Sequence, residues 1–164
     1  MKYELVGLGH SPKVAILCPR IQPDEIIKHY GDLLSVTYPL MVCDLYQDRT
    51  KKKTSNEAIK EYLADLMPNL VNAGINFLIV TQPDYFKVLS KQAKTDATIG
   101  DIYPSIVEGI SVTYMPNYSR VFYDPEKTTA KIKIGINSVI RWMNGDKAPI
   151  GKSIIKFEAY PSND

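Results

Sequence analysis

Four cations crowd into five positions of the chain, Arg49, Lys51, Lys52 and Lys53, at the end of the segment Asp44 to Lys53. Set against Asp48 they leave a local surplus of three positive charges. Such a cluster can neutralise a phosphate backbone and release its counterions. The same charges also suit a solvated loop ahead of a helix. A second segment, Asn117-Tyr118-Ser119-Arg120-Val121-Phe122-Tyr123, gathers an amide, three aromatic rings and a guanidinium. Groups of that kind stack on an unpaired base and hydrogen-bond to its edges. The alternative is that Val121, Phe122 and Tyr123 pack the loop onto the core. That packing role is the expectation for Phe122, while Tyr118 and Arg120 stay open to either.

Nucleophilic and metal chemistry find little support. His10 and His29 are the only histidines, and they lack the close spacing of metal ligands. His10 precedes the first apolar run. His29 falls late in a short helix, where a cation faces the helix C-terminus favourably. Cys18 ends an apolar run and has no histidine placed beside it, so a buried filler is expected rather than a nucleophile. The carboxylates placed for acid–base work are Asp24, Glu25 and Asp44, and the first two also suit the first turn of a helix. There is no G-x-S-x-G, Walker or G-x-G-x-x-G pattern, and Gly7-Leu8-Gly9 precedes a strand, which makes it a turn. No catalytic set, metal or cofactor is expected.

The elements that must position these groups can be read from apolar spacing. Val14–Leu17, Leu40–Cys43 and Phe77–Val80 are nearly continuous apolar runs, which suit strands covered on both faces of a parallel sheet. Ile110–Tyr114 alternates, so an edge position is expected for it. Asn56–Ala73 repeats at helical spacing, with Thr54 and Glu57 in capping-box relation, Gly74 as a stop, and Pro68 expected to kink or split it. A second long helix is predicted from Pro125 to about Met143, with Asp124 as its N-cap and Gly145 at its end. Its predicted buried stripe is Ile132, Ile136, Val139, Ile140 and Met143. Shorter helices are predicted over Pro23–Tyr30, closed by Gly31, and over Pro83–Ser90. Ser153–Phe157 reads as an edge strand or an exit linker.

Strand–helix alternation repeated four times means an α/β fold with a mostly parallel four-stranded sheet flanked by helices and right-handed crossovers. One domain is expected over residues 1–147, with a C-terminal extension or linker over 148–164. In such a sheet, ligands bind beyond the carboxyl ends of the strands. The loops after the four runs are therefore the place for a cleft, with Arg20, Asp24, Asp44, Tyr46 and Gln82 as its candidate residues.

Composition sets the outer limits. The 164 residues are 45% hydrophobic and 23% charged, with 20 basic against 18 acidic side chains. A net charge of +2 means that any nucleic-acid surface must be a local patch. From Arg120 to Lys156, eight basic residues face three acidic ones, a surplus larger than that of the whole chain. Two cysteines exclude a disulfide scaffold or a four-thiolate cluster within one chain. No apolar run approaches the roughly 20 residues of a membrane span. A reducing, cytoplasmic setting is the expectation.

Order and spacing resemble the uracil-DNA glycosylase superfamily over nearly the whole chain. Gly7 to Leu17 looks like the approach to that family's first strand, and Cys18-Pro19-Arg20-Ile21-Gln22-Pro23 occupies the place of its water-activating loop. Phe77 to Gln82, followed by Tyr85-Phe86-Lys87-Val88-Leu89, resembles the strand and helix that carry its base-reading residue, here Thr81 or Gln82. Val112 to Tyr118 stands where the family has a strand and a His-Pro-Ser type loop, with Met115 in the histidine position. A methionine cannot donate a hydrogen bond to a departing base, and the first loop has no carboxylate before Asp24. Losing one such donor typically costs several kcal/mol of barrier. The resemblance therefore implies a glycosylase-like scaffold without glycosylase chemistry.

A closer likeness is to the N-terminal region of family-A bacteriophage DNA polymerases. It is carried by Tyr85–Leu89, Met115-Pro116-Asn117-Tyr118, Phe122 to Lys127, Ile154–Phe157 and Tyr160-Pro161. In those proteins such a domain precedes the exonuclease and polymerase domains. The likeness implies a non-catalytic module acting in viral DNA replication. Its partners would be DNA and the polymerase's own later domains or other replication proteins. On this reading Arg49, Lys51, Lys52 and Lys53 hold phosphates, and Asn117, Tyr118 and Arg120 touch a base or backbone. A protein-interaction domain is the alternative, and an active glycosylase using Asp24 or Asp44 a further one.

Overall fold

The computed structural model describes residues 2–35 and 39–145. The expected extension over 148–164, its edge strand or linker, and the domain boundary at 147 lie outside the described residues.

Strand β1 (Tyr3–Val6) is followed by β2 (Val14–Cys18), α1 (Pro23–Tyr30) and a 3-10 turn over Gly31–Ser35. Next come β3 (Leu40–Asp44), α2 (Asn56–Asn72), β4 (Phe77–Val80) and α3 (Pro83–Ser90). The chain then forms a short 3-10 turn (Asp96–Thr98), β5 (Tyr103–Pro104), β6 (Ser111–Tyr114), a 3-10 turn over Tyr118–Phe122, and α4 (Pro125–Met143). Among the described residues the sheet has six strands, in the order β1-β3-β2-β4-β6-β5. Its four inner strands are parallel, as their apolar runs predict, and its two outer strands run antiparallel to their neighbours.

The four-stranded expectation is thus corrected to a six-stranded mixed sheet. β1 escaped notice because three of its four residues are exposed, so it carries little apolar signal. β5 is two residues long and ends in Pro104, a residue suited to a sheet edge because it donates no ladder hydrogen bond. The edge position expected for the fourth run is also corrected, since β5 lies outside β6. The alternation in β6 does not mark an exposed face. Thr113 is buried because its hydroxyl donates to the Asp101 carbonyl at 2.7 Å, which satisfies the polar group inside.

Alternate side chains of the inner strands feed two separate cores. Ala15, Leu17, Met41 and Leu78 pack with Leu63, Leu66 and Leu70 of α2 and with Phe86 and Leu89 of α3. Ile16, Val42, Phe77 and Ile79 pack on the other face with Ile26 and Tyr30 of α1 and with Ile132, Ile136 and Val139 of α4. The result is three layers, helix on sheet on helix. The α1 crossover moves one way on one face. The α2 and α3 crossovers move the other way on the opposite face, so a single hand serves all three.

The helix ends and the proline position refine the sequence reading. α2 is not split at Pro68, which lies on the exposed side of the helix, where the carbonyl left without a partner can meet water. Its N-cap is Ser55, whose Oγ accepts from the Ala58 N–H at 3.2 Å, rather than Thr54. Thr54 instead accepts from the Asp48 N–H at 3.0 Å and closes the basic loop. Gly31 is the C-cap of α1, as expected, with φ of −60°, and the chain tightens from it into the 3-10 turn. Gly74, with φ of +85°, does end α2 as expected.

Gly135 sits in the middle of α4, where glycine is normally unfavourable. A Cβ there would stand 2.7 Å from Cε and 3.1 Å from Cβ of the fully buried Met115. Alanine improves helix propensity by roughly 0.5–1 kcal/mol, but overpacking costs about 1–3 kcal/mol, and the Met115 Cβ has no rotamer by which to retreat. Gly135→Ala is therefore expected to lower stability by a net of about 1–2 kcal/mol, read as an earlier urea midpoint. A midpoint at or beyond wild type would show that α4 slides freely on the sheet.

Candidate functional site

The carboxyl ends of the four parallel strands deliver all four expected loops to one end of the sheet. The chain turns one way after β2 and the other way after β4, so the gap between their ends is the topological switch point. Thr81 closes that gap from below. Its N–H and its hydroxyl both donate to the Leu17 carbonyl, at 3.3 and 2.8 Å. The Thr81 hydroxyl in turn accepts from Asn117 Nδ2 at 3.3 Å, and Asn117 Oδ1 accepts from the Ser119 N–H at 2.9 Å. One buried threonine thereby ties the ends of β2 and β4 and the loop after β6.

Above this floor lie two adjoining cavities. One, of about 250 Å³, is lined by Pro19, Arg20, Gln22 and by Asn117, Tyr118, Ser119, with Gln47 and Arg49 at its wall. Among the described residues no carboxylate and no histidine lines it. The other, of about 340 Å³, shares Gln47 and Arg49 and extends past Tyr46 and Lys51–Lys53 to Gln82, Asp84 and Tyr85. Together they present Arg20, Arg49, Lys51, Lys52 and Lys53 against Asp48 and Asp84, five cations to two carboxylates.

The basic loop is folded rather than loose. The Asp48 carboxylate accepts from the Thr50 N–H at 3.1 Å and from the Thr50 hydroxyl, which holds that carboxyl below its usual range. Arg49, Lys51, Lys52 and Lys53 are all exposed. Lys51 and Lys53 stand 3.9 and 3.7 Å from Asp48 and Asp84 in exposed pairs. Exposed pairs of that kind contribute little and part readily. All four cations remain available to a polyanion.

The other expected residues fall into different roles. Arg20 is exposed on the smaller cavity, and Tyr46 and Gln82 line the larger one. Asp24 is exposed in the first turn of α1 and lines neither cavity. Asp44 accepts from the Lys2 N–H at 3.2 Å, while its backbone carbonyl accepts from the Tyr62 hydroxyl; it too lies outside both cavities. Asn117 is buried, with its carbonyl and one amide hydrogen engaged within the fold. Tyr118 is buried, stacks on His29 with centroids 5.5 Å apart, and donates to Gln22 Oε1. Arg120 is exposed, in a separate groove with Lys127 and Lys131.

Phe122 reverses its expected role. It is 86% exposed, beside Tyr123 at 85%. In a 3-10 turn, residues three apart share a face. Tyr118 and Val121 take the inward face, which leaves Phe122 outside. His29 pairs with Glu25 at 3.2 Å, one turn back in α1, besides stacking on Tyr118.

Tyr85 is a structural contributor that the sequence reading did not single out for the site. Its hydroxyl donates to the Tyr46 carbonyl at 2.6 Å and accepts from the Tyr46 N–H at 3.1 Å, fastening the basic loop to α3. Only the adjacency of two loops far apart in sequence reveals that role. Gln47, shared by both cavities, carried no signal in its residue type either.

No protein-family model matches the chain, and no curated protein matches its sequence.

Cys18 is fully buried, and burial pushes its thiol up to about 12, against a smaller lowering by the hydrogen bond with Thr81. Burial, with a smaller contribution from Asp44, does the same to Cys43. A neutral thiol at neutral pH is a packing group, as expected of Cys18. Tyr30 and Tyr85 are raised as well, again chiefly by burial. In each case the native state keeps a proton that the unfolded chain releases near pH 9 for the thiols and near 10 for the phenols. Stability from these groups is thus fully present below pH 9 and is lost as pH rises toward 12. The urea midpoint is expected to hold between pH 7 and 8.5 and to fall clearly by pH 10.5. An unchanged midpoint at the higher pH would contradict the burial of these groups.

Proposed function

We propose that this chain is a DNA-binding module built on a uracil-DNA glycosylase-like scaffold that does not cleave glycosidic bonds. Its place would be that of the domain preceding the exonuclease and polymerase domains of family-A bacteriophage DNA polymerases. The observation that carries the reading is the crevice over the switch point, where five cations gather around two adjoining cavities on a chain of net charge only +2. Charge concentrated on one end of the sheet is the local patch that a nearly neutral protein needs in order to hold a phosphate backbone.

The scaffold part of the proposal rests on the sequence resemblance together with four parallel strands between two helical layers. The non-catalytic part rests on the residues around the crevice. Met115 is sealed in the core against Gly135 and presents nothing to a departing base. Among the described residues the smaller cavity has no carboxylate to activate water, and Asp24 and Asp44 lie outside both cavities. On this reading the site binds a polyanion, and among the described residues no carboxylate or histidine lines the smaller cavity to protonate or expel a base.

The test is a salt titration of DNA binding by fluorescence anisotropy. Wild-type affinity is expected to fall steeply between about 50 and 200 mM salt. Replacing Lys51, Lys52 and Lys53 together by alanine should make the plot of log affinity against log salt shallower by about 2–3 units, near 0.7–0.9 per lost phosphate contact. Absent or salt-insensitive binding at low ionic strength would remove the proposal. Uracil-containing DNA incubated with the protein should stay intact through alkaline treatment, and strand cleavage would overturn the non-catalytic half alone.

A further inference from the structure

Phe122 and Tyr123 are the two most exposed large hydrophobic side chains among the described residues, at 86% and 85%. They are neighbours in sequence, and their rings meet edge to face with centroids 5.5 Å apart. The backbone beneath them is held. The N–H groups of Tyr123 and Asp124 both donate to the Arg120 carbonyl at 3.1 Å, and the Arg120 N–H donates to the Asn117 carbonyl at 3.0 Å. The pair is therefore a fixed prominence, standing on the loop that Thr81 and Asn117 anchor at the switch point.

A groove runs along each side of it. One, of about 480 Å³, is lined by Lys28, His29, Tyr118 and Ser119 together with both exposed rings. The other, of about 430 Å³, joins Tyr123 to Arg120, Lys127 and Lys131. Tyr118 and Ser119 also line the smaller cavity of the crevice, so the first groove continues that cavity. A path therefore leads from Arg49 and Arg20 across Tyr118 and Ser119 to Phe122 and Tyr123. Among the described residues lining these two grooves Lys131 is paired with Asp96 and Glu25 stands 3.2 Å from His29 Nε2, so Lys28, Arg120 and Lys127 stand beside the rings against the carboxylates of Glu25 and Asp124.

We infer that Phe122 and Tyr123 form a stacking platform for the unpaired bases of single-stranded DNA, whose phosphates follow the cations along this path. The inference deepens the DNA-binding reading and rests on it. The occupant is chosen by chemistry. A chain that alternates flat bases with negative phosphates matches exposed rings flanked by ammonium and guanidinium groups. A duplex does not offer its base faces, because they are already stacked on one another. Sequence tolerance follows as well, since every base has a face to offer.

The experiment compares binding of a short labelled oligothymidylate with binding of a duplex of similar length, both at low salt. The double variant Phe122→Ala/Tyr123→Ala is expected to lose at least about tenfold in affinity for the single strand and to change little toward the duplex. Its salt slope should stay at the wild-type value, because no phosphate contact is lost. Both side chains are exposed, so thermal melting should not shift. The exchange Phe122→Tyr/Tyr123→Phe keeps the aromatic faces and should restore binding, whereas Phe122→Leu/Tyr123→Leu should not.

Unchanged single-strand affinity in the alanine variant, equal loss on both substrates, or full restoration by leucine would overturn the inference. The last result would instead mark an apolar contact of the kind a protein partner makes. These outcomes are separable from failure of the broader proposal. If wild type binds no DNA at low salt, both fall. If wild type binds with a steep salt dependence and the aromatic variants do not matter, the platform alone is lost.

Discussion

A single buried hydroxyl organises the functional end of this molecule. Thr81 leaves β4 where the sheet changes direction, and a side chain there has three loops within reach. By donating to the Leu17 carbonyl and accepting from Asn117, it prevents the ends of β2 and β4 from separating. It also sets the height of the loop after β6. Leaving one of these buried groups unpaired would cost about 1–3 kcal/mol, a large share of the 5–15 kcal/mol that typically holds a domain together. The loops above it can be polar and exposed because Thr81 and Asn117 beneath them are hydrogen-bonded to one another and to the backbone.

The same arrangement explains why the described lining of the crevice is basic. Residues that would have to approach a scissile bond are engaged elsewhere, Met115 in the core and Asp44 with Lys2 and Tyr62 at the end of β3. The cations are on the surface in a loop whose shape is set by Asp48, Thr50 and Thr54. Tyr85 then fixes that loop to α3 through both polar atoms of the Tyr46 backbone. The preorganisation is moderate. It holds the backbone and leaves the long side chains of Arg49, Lys51, Lys52 and Lys53 exposed.

The parts of the fold that were legible in the sequence are those where burial demands a continuous apolar run or a regular helical stripe. Val14–Leu17, Leu40–Cys43 and Phe77–Val80 could hardly be anything except inner strands. The stripe of α4 was readable from Ile132, Ile136 and Val139. β1 and β5 were not, because an edge strand needs only backbone partners, and its side chains are free to be exposed or to be proline. Whether Pro68 would split α2 was not legible for a related reason. Its cost depends on whether the unpaired carbonyl meets water, and that depends on which side of α2 faces the sheet.

At the candidate site the division is sharper. The residue types alone determined that a basic loop follows the second inner strand, and they set the expectations that the chain carries no metal or nucleophile set and that a ligand binds at the carboxyl end of the sheet. Those conclusions follow from charge, chemistry and strand direction, which are local or topological properties. Only the tertiary structure decided that Asn117 is internal, that Tyr118 packs on His29, and that Phe122 stands in solvent instead of the core. These outcomes depend on which face of one 3-10 turn meets α1 and the sheet. A turn of five residues has no periodicity long enough to announce its inward face, so packing against distant segments sets it.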